Sequence, residues 1–152
     1  MNTSCIVKND ILKNLGEAAP GLHDKILELM AKEEKGKLLD IPSGEGKLAY
    51  FLKHQGFEVL AGDIDEKVFK IPGIDFQRID LNARLPFEPE CFDYVTCIEG
   101  IEHIENSYHL LREFARALKR GGKLVLSTPN ILSIHSRLRF LLIGHFAFFG
   151  GY

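Results

Sequence analysis

The chain has 152 residues, 45% of them apolar and 26% charged, a balance that suits one globular domain with its own core and argues against a disordered chain. Its formal net charge of −2 gives no sign of a nucleic-acid partner. The N-terminus lacks the long apolar stretch of a signal peptide, and Cys5, Cys91 and Cys97 form no Cys-x-x-Cys pair, so reduced thiols and a cytoplasmic location are expected. The six histidines are scattered, with no His-x-x-x-His spacing, and no metal site is expected.

Residues 1–36 read as a helical leader. Ile11, Leu12 and Leu15 suit one helical turn against the core, punctuated by Gly16 and the Pro20-Gly21 pair. From Leu22 to Glu34 the spacing of Leu22, Ile26, Leu29 and Met30 predicts an amphipathic helix, with Lys32 to Lys37 as a charged exit and His23 at the surface.

The stretch from Lys37 to Asp65 organises the rest. The apolar pair Leu38-Leu39 ends on Asp40, and a turn-forming loop follows, Pro42-Ser43-Gly44-Glu45-Gly46. Leu48, Phe51 and Leu52 then share one face of a helix from Lys47 to Gln55, and Gly56 stands where a helix end needs positive φ. Phe57 to Ala61 reads as a second strand that ends on Asp63. This is a βαβ unit with acids at the carboxyl ends of both strands, where open α/β sheets bind ligands. A Cβ at Gly44 or Gly46 would obstruct the tight turn or a ligand's approach to the backbone. A carboxylate at Asp63 can accept two hydrogen bonds from a ribose diol.

Glu66 to Lys70 suggests a short helix, stopped by Ile71-Pro72-Gly73, and Asp75 to Ile79 a third strand ending on Asp80. Asp80 to Glu90 is a loop by its Asn and Pro content. Phe92 to Ile98 is the strongest strand, apolar almost throughout and so expected to be buried on both faces; it ends on Glu99. Asn106 suits the cap of a helix running to Lys119, with Leu111, Phe114, Ala115 and Leu118 on its apolar face, ended by Gly121-Gly122. Lys123 to Ser127 is a fifth strand. The alternation predicts an α/β fold: a Rossmann-like, doubly wound, mainly parallel sheet with helices on both faces.

Two nucleoside-binding patterns compete at the glycine loop. Gly44 to Ala49 reads G-x-G-x-x-A, the dinucleotide fingerprint, with Asp63 suitably downstream. In that fingerprint, however, the first glycine follows the strand almost at once, whereas three residues separate Asp40 from Gly44. Aligned from Asp40, D-x-P-x-G-x-G resembles the cofactor motif of class I S-adenosylmethionine-dependent methyltransferases, with Pro42 where the first of three glycines would stand. The resemblance runs from Lys37 to Asn130. Asp80-Leu81-Asn82, Leu85-Pro86-Phe87 and Phe92-Asp93-Tyr94-Val95 are similar to that superfamily's D…LPF…FD.V pattern. Glu99 to His103 is similar to its E-x-x-E-H segment, and Gly121-Gly122-Lys123-Leu124 to its turn into the fifth strand.

The resemblance implies S-adenosyl-L-methionine as cofactor and S-adenosyl-L-homocysteine as product. It implies that the loop from Asp40 through Pro42, Gly44 and Gly46 faces the methionine part. Asp63 would hold the ribose hydroxyls, with Ile64 beside the adenine. Asp80 would accept from the adenine amino group, Leu81 offer its backbone N–H to a ring nitrogen, and Ile98 present its carbonyl to the cofactor's amino group. Glu99 joins Asp40, Asp63 and Asp80 in an acidic rim suited to a ligand carrying a sulfonium and an ammonium. Glu102 and His103 are the local acid–base candidates for catalysis.

Residues 37–130 thus form a cofactor-binding core and residues 131–152 an apolar helix, Ser133 to Leu142, with a tail. Family domains continue past the fifth strand into two more strands; their expected absence would leave a sheet edge uncovered. Leu138 to Phe149 is too short to span a bilayer. It is expected to cover that edge or meet a partner, a second copy included, in preference to lying on a membrane surface. The implied function is methyl transfer to a small-molecule or lipid- or sugar-linked acceptor. A non-catalytic methyltransferase-like module that binds the cofactor or a protein partner is the alternative, and an NAD-dependent oxidoreductase a remote one. The acceptor is not named by shared motifs, because acceptor pockets come from variable elements.

Overall fold

Leu38 and Leu39, neighbours on β1 (Lys37–Asp40), are both fully buried although successive strand residues face opposite ways. The sheet therefore has apolar cover on both faces. The computed structural model describes residues 15–16, 19–130 and 133–144. The expected turn at Ile11 and Leu12 and the tail beyond Gly144 lie outside the described residues, as does Cys5.

β1 is followed by β2 (Glu58–Asp63), β3 (Asp75–Arg78), β4 (Phe92–Ile98) and β5 (Leu118–Ser127). All pairings are parallel, in the order β3-β2-β1-β4-β5. The chain winds outward from β1 through β2 to β3, then returns to β1's other side for β4 and β5. The winding direction thus changes between β1 and β4, where the carboxyl ends of the strands part and open α/β sheets bind ligands.

α1 (Leu22–Ala31) and α2 (Lys47–His54) cover one face. Ile26, Met30, Leu48 and Leu52 pack there against Leu38, Val59 and Tyr94. α3 (Ser107–Ala117) covers the other, where Leu110, Phe114 and Ala117 meet Leu39, Val95 and Cys97. The Asn106 side chain caps α3, accepting from the His109 N–H at 3.0 Å. Gly56 takes φ 102° after α2, as its place in the sequence predicts. α4 (Ile134–Ile143) follows β5. Among the described residues, no helix is long and apolar enough to cross a membrane.

Three local expectations are corrected. Glu66 to Lys70 forms turns and no helix: the Lys70 N–H, which a helix would pair with the Glu66 carbonyl, donates instead to the Glu45 carbonyl at 3.2 Å. α3 stops at Ala117, and Leu118 already belongs to β5, in register with Phe92. Lys119 and the Gly121-Gly122 pair lie inside that strand, at a register shift between Phe92 and Tyr94. There a Cβ on Gly122 would come within 2.9 Å of the Lys119 carbonyl oxygen, and Lys119 pairs with Asp93 at 2.9 Å. His23, finally, is buried, because α1 turns that side of its first turn onto the sheet's ligand-binding end.

Glu113 and Arg116 anchor α3. The Glu113 carboxylate accepts the Leu85 N–H at 3.0 Å and pairs with Arg116 at 2.6 Å, while Arg116 donates to the Leu85 carbonyl at 3.0 Å. The loop entering β4 is thereby tied to the helix leaving it.

Candidate functional site

Two hollows open at the carboxyl ends of the strands. The larger, of about 340 Å³, lies where β1 and β4 part, between the glycine loop, Asp40, Ile98, Glu99 and the side chain of His23. The smaller, of about 210 Å³, is walled by Ile64, Asp80, Leu81, Asn82, Gly100 and His103. Pro42 and Asp63 line both, so the hollows meet at those two residues.

Asp40 is the most deeply placed acid, 1% exposed. One carboxylate oxygen accepts from the Thr96 hydroxyl at 2.6 Å, and the other, Oδ2, is buried with no hydrogen bond. Burial pushes its carboxyl up to about 7, an effect that the Thr96 hydrogen bond opposes and the neighbouring Asp63 carboxylate adds to. An unsatisfied buried carboxylate oxygen at the wall of a cleft is costly unless a ligand brings a donor or a positive charge.

The loop after Asp40 is held by its own backbone. The Ser43 N–H donates to the Gly62 carbonyl at 2.8 Å, the Gly46 N–H to the Ser43 carbonyl at 2.9 Å, and the Gly44 N–H to Asp63 Oδ2 at 2.9 Å. Asp63 Oδ1 accepts from the Asp65 N–H at 3.3 Å. Each Asp63 oxygen keeps a lone pair for a further donor. The two glycines differ in purpose. Gly44 lines the larger hollow, and a Cβ there would meet nothing within 4 Å; Gly46, with φ 90°, lines neither, and its Cβ would fall 2.5 Å from Phe69 and 2.9 Å from Ile71. Gly46 therefore serves packing beneath the loop. Pro42, where the family pattern has glycine, lies against Gly100, whose added Cβ would sit 2.4 Å from the proline Cδ.

The Glu45 carboxylate, on the same loop, binds Lys70 and the Gly16 N–H, and these contacts hold its carboxyl below the usual range. Leu15 is buried in the core beside that contact, and Gly16 lines the larger hollow. Glu99 takes φ 49°, unusual for a residue with a Cβ, while its N–H donates to the Ser127 carbonyl and hydroxyl, each at 3.2 Å. Burial, and then the nearby Glu102 carboxylate, raise its carboxyl above the ordinary value.

Asp40, Pro42, Gly44, Asp63, Ile98 and Glu99 thus meet at one hollow, and Ile64, Asp80 and Leu81 at the other. The exposed Asp80 accepts the Asn82 N–H at 2.9 Å. Glu102 and His103 sit on a short 3-10 turn, Ile101–His103. His103 lines the smaller hollow; Glu102 lines neither, and its Oε2 is buried without a hydrogen bond. Sequence reasoning missed Thr96, Glu45 and His23. The aliphatic hydroxyl within the apolar run of β4 was the one available signal for Thr96.

A parallel sheet wound 3-2-1-4-5, with acids gathered at the cleft where its winding turns, defines a Rossmann-like α/β domain. The chain belongs to the methyltransferase domain family, whose model matches residues 15–151. It is similar to the ubiquinone biosynthesis O-methyltransferase of Idiomarina loihiensis, 33% identical over 103 residues that cover 62% of this chain and 42% of that protein. The enzyme of the same name from Nitrosomonas europaea is 27% identical over 131 residues, 80% of this chain and 56% of its own. The chain spans about half the length of these curated relatives. Among solved structures, the PH0226 protein of Pyrococcus horikoshii superposes with a TM-score of 0.66 at 29% identity, over 76% of this chain and 59% of that one. An S-adenosylmethionine-dependent methyltransferase from Mesorhizobium loti does so with a TM-score of 0.64 at 26% identity, over 76% and 57%.

Proposed function

We propose that this domain binds S-adenosylmethionine across the two joined hollows and serves methyl transfer to a small-molecule acceptor. The observation that carries this reading is the meeting of both hollows at Asp63, with the buried, half-satisfied Asp40 on one side and Asp80 on the other. The residues present fit such a cofactor: the orphaned Asp40 Oδ2 awaits a donor or a cation, and Asp63 has acceptor capacity left for a diol.

In this reading Asp40, the loop through Gly44, Ile98 and Glu99 hold the methionine half. Asp63 holds the ribose, and Ile64, Asp80 and Leu81 flank the adenine. When bound, S-adenosylmethionine supplies a methyl group already activated by its sulfonium. The chain's own residues then bind and orient. The acidic wall favours a positively charged ligand, and a loop held by its own backbone contributes by positioning. His103, exposed at the rim, is our candidate for taking a proton from an oxygen acceptor, and Glu102 lies beside it in sequence. Family membership favours this reading over a dinucleotide-dependent oxidoreductase.

Calorimetric titration with S-adenosylmethionine and S-adenosylhomocysteine tests it, with NAD as control. Micromolar binding that Asp63→Ala abolishes is the expected result. No binding by a folded chain, or preference for NAD, would overturn it. Label transfer from methyl-labelled cofactor to a phenolic acceptor then separates an enzyme from a binding module.

A further inference from the structure

We propose that Ser127, at the carboxyl end of β5, is a positioning residue for the cofactor cleft and acts through the main chain of Glu99. Ile98, the last residue of β4, stands opposite Ser127 in the register. The next residue, Glu99, leaves the strand at φ 49°. That region is disfavoured for a residue with a Cβ and persists where neighbours hold it. Ser127 supplies two holds. The Glu99 N–H donates to its carbonyl and to its hydroxyl, each at 3.2 Å. Any residue at 127 offers the carbonyl; the hydroxyl is what serine adds.

The dihedral held in this way shapes both hollows. Ile98 and Glu99 wall the larger one, and Gly100 walls the smaller. Rotation about φ of Glu99 moves Gly100 relative to Ile98, and Gly100 has little room to move. It lies against Pro42, which lines both hollows, so closely that a Cβ would sit 2.4 Å from the proline Cδ. The Glu99 carboxylate in turn accepts the Ala19 N–H, just ahead of α1. Glu99 thus joins the end of β5, by its main chain, to the segment before α1, by its side chain, along the wall of the larger hollow. Ser127 lines neither hollow, so its influence on a bound ligand passes through Glu99. A hydroxyl that only stabilised the strand end would affect folding and leave affinity alone. The role rests on the reading of the cleft as a cofactor site.

Calorimetric titration of the full chain with S-adenosylhomocysteine tests this, with melting temperatures to verify that each variant is folded. Ser127→Thr keeps the hydroxyl; Ser127→Val has the same shape as threonine without it and suits a strand equally well. Ser127→Thr should bind within about twofold of the wild type, and Ser127→Val and Ser127→Ala about tenfold more weakly, as for one lost hydrogen bond. In a Glu99→Gly background, where positive φ carries no steric cost, adding Ser127→Ala should weaken binding by less than about twofold. Equal affinities for the threonine and valine variants overturn the role. So does a loss from Ser127→Ala that is the same in both backgrounds. If the wild-type chain binds no cofactor, the role and the cofactor reading fall together. If it binds and every Ser127 variant binds like it, the role alone falls.

Discussion

Thr96 stands opposite Asp40 in the register of β4 and β1, and its hydroxyl donates to the Asp40 carboxylate at 2.6 Å. That hydrogen bond serves one oxygen only, and the Ala49 backbone N–H adds a smaller stabilisation of the anion. Asp40 is therefore held in place, yet poorly stabilised as an anion.

The pH dependence of stability follows from that state. The Asp40 carboxyl takes its proton at about 7 in the fold, against 3.8 as the ordinary value. Between the two, the folded chain holds more protons than the unfolded one, so stability falls as pH rises. A shift of about three units bounds the effect at ~4 kcal/mol. The wild-type melting temperature should drop from about pH 5 to about pH 8, and Asp40→Asn should remove most of that slope. Glu99, also raised, retains a remainder. An unchanged slope in Asp40→Asn would place its origin elsewhere.

Cofactor affinity should run the other way. The ionised Asp40 is the form that attracts a cation, in a cleft also walled by Asp63, Glu99, Glu45, Lys47 and His23. Affinity for S-adenosylmethionine should climb through pH ~7, by up to about tenfold per unit below it. Titrations in buffers of different ionisation enthalpy would show the released proton; no buffer dependence would sink the linkage. Thr96→Val, which removes the larger of the two opposing hydrogen bonds, should move the rise to higher pH.

The two loop glycines should respond differently to a methyl group. Gly44→Ala meets open space and bears only the left-handed φ of 51°, about 1 kcal/mol. Gly46→Ala adds overlap with Phe69 and Ile71 to φ 90° and should lose about 2–4 kcal/mol in urea unfolding. Equal losses would contradict the packing role of Gly46.

Glu113 sets the acid limit. The Arg116 hydrogen bond, opposed by burial, holds its carboxyl down at about 2, so its contribution is fully present above the ordinary 4.5 and is lost as pH falls toward 2. Glu113→Gln should cost about 3 kcal/mol near neutrality, by leaving Arg116 without its partner, and much less near pH ~2. Urea titrations at both pH values check this.

Gly100→Ala probes the proline. With its Cβ 2.4 Å from Pro42 Cδ, either the loop or the chain after β4 must shift. Cofactor affinity should fall about tenfold to a hundredfold, and the overlap should also cost about 1–3 kcal/mol in urea unfolding. Unchanged affinity would show that the loop tolerates displacement.

Much of the fold was legible in local pattern. The apolar runs of β1 and β4, the helical spacing of Leu48 and Leu52, and the Asn106 cap are each decided by neighbours in sequence. So was the order of acids at strand ends, because a strand's carboxyl terminus can be read without knowing its partners. His23 was not legible: a histidine one residue into a helix reads as surface until the helix's rotation against the sheet is known. The helix expected at Glu66 to Lys70 failed because the Lys70 N–H finds the Glu45 carbonyl, a partner distant in sequence.

The sequence by itself determined the alternation of strands and helices, the glycine loop and the acids Asp40, Asp63 and Asp80, since these depend on periodicity and turn chemistry along the chain. Only the tertiary structure decided that Thr96 meets Asp40, that Gly46 serves packing beneath the loop, and that the two hollows join at Asp63. Those depend on strand register and on which faces meet, and these are set by burial across distant parts of the chain.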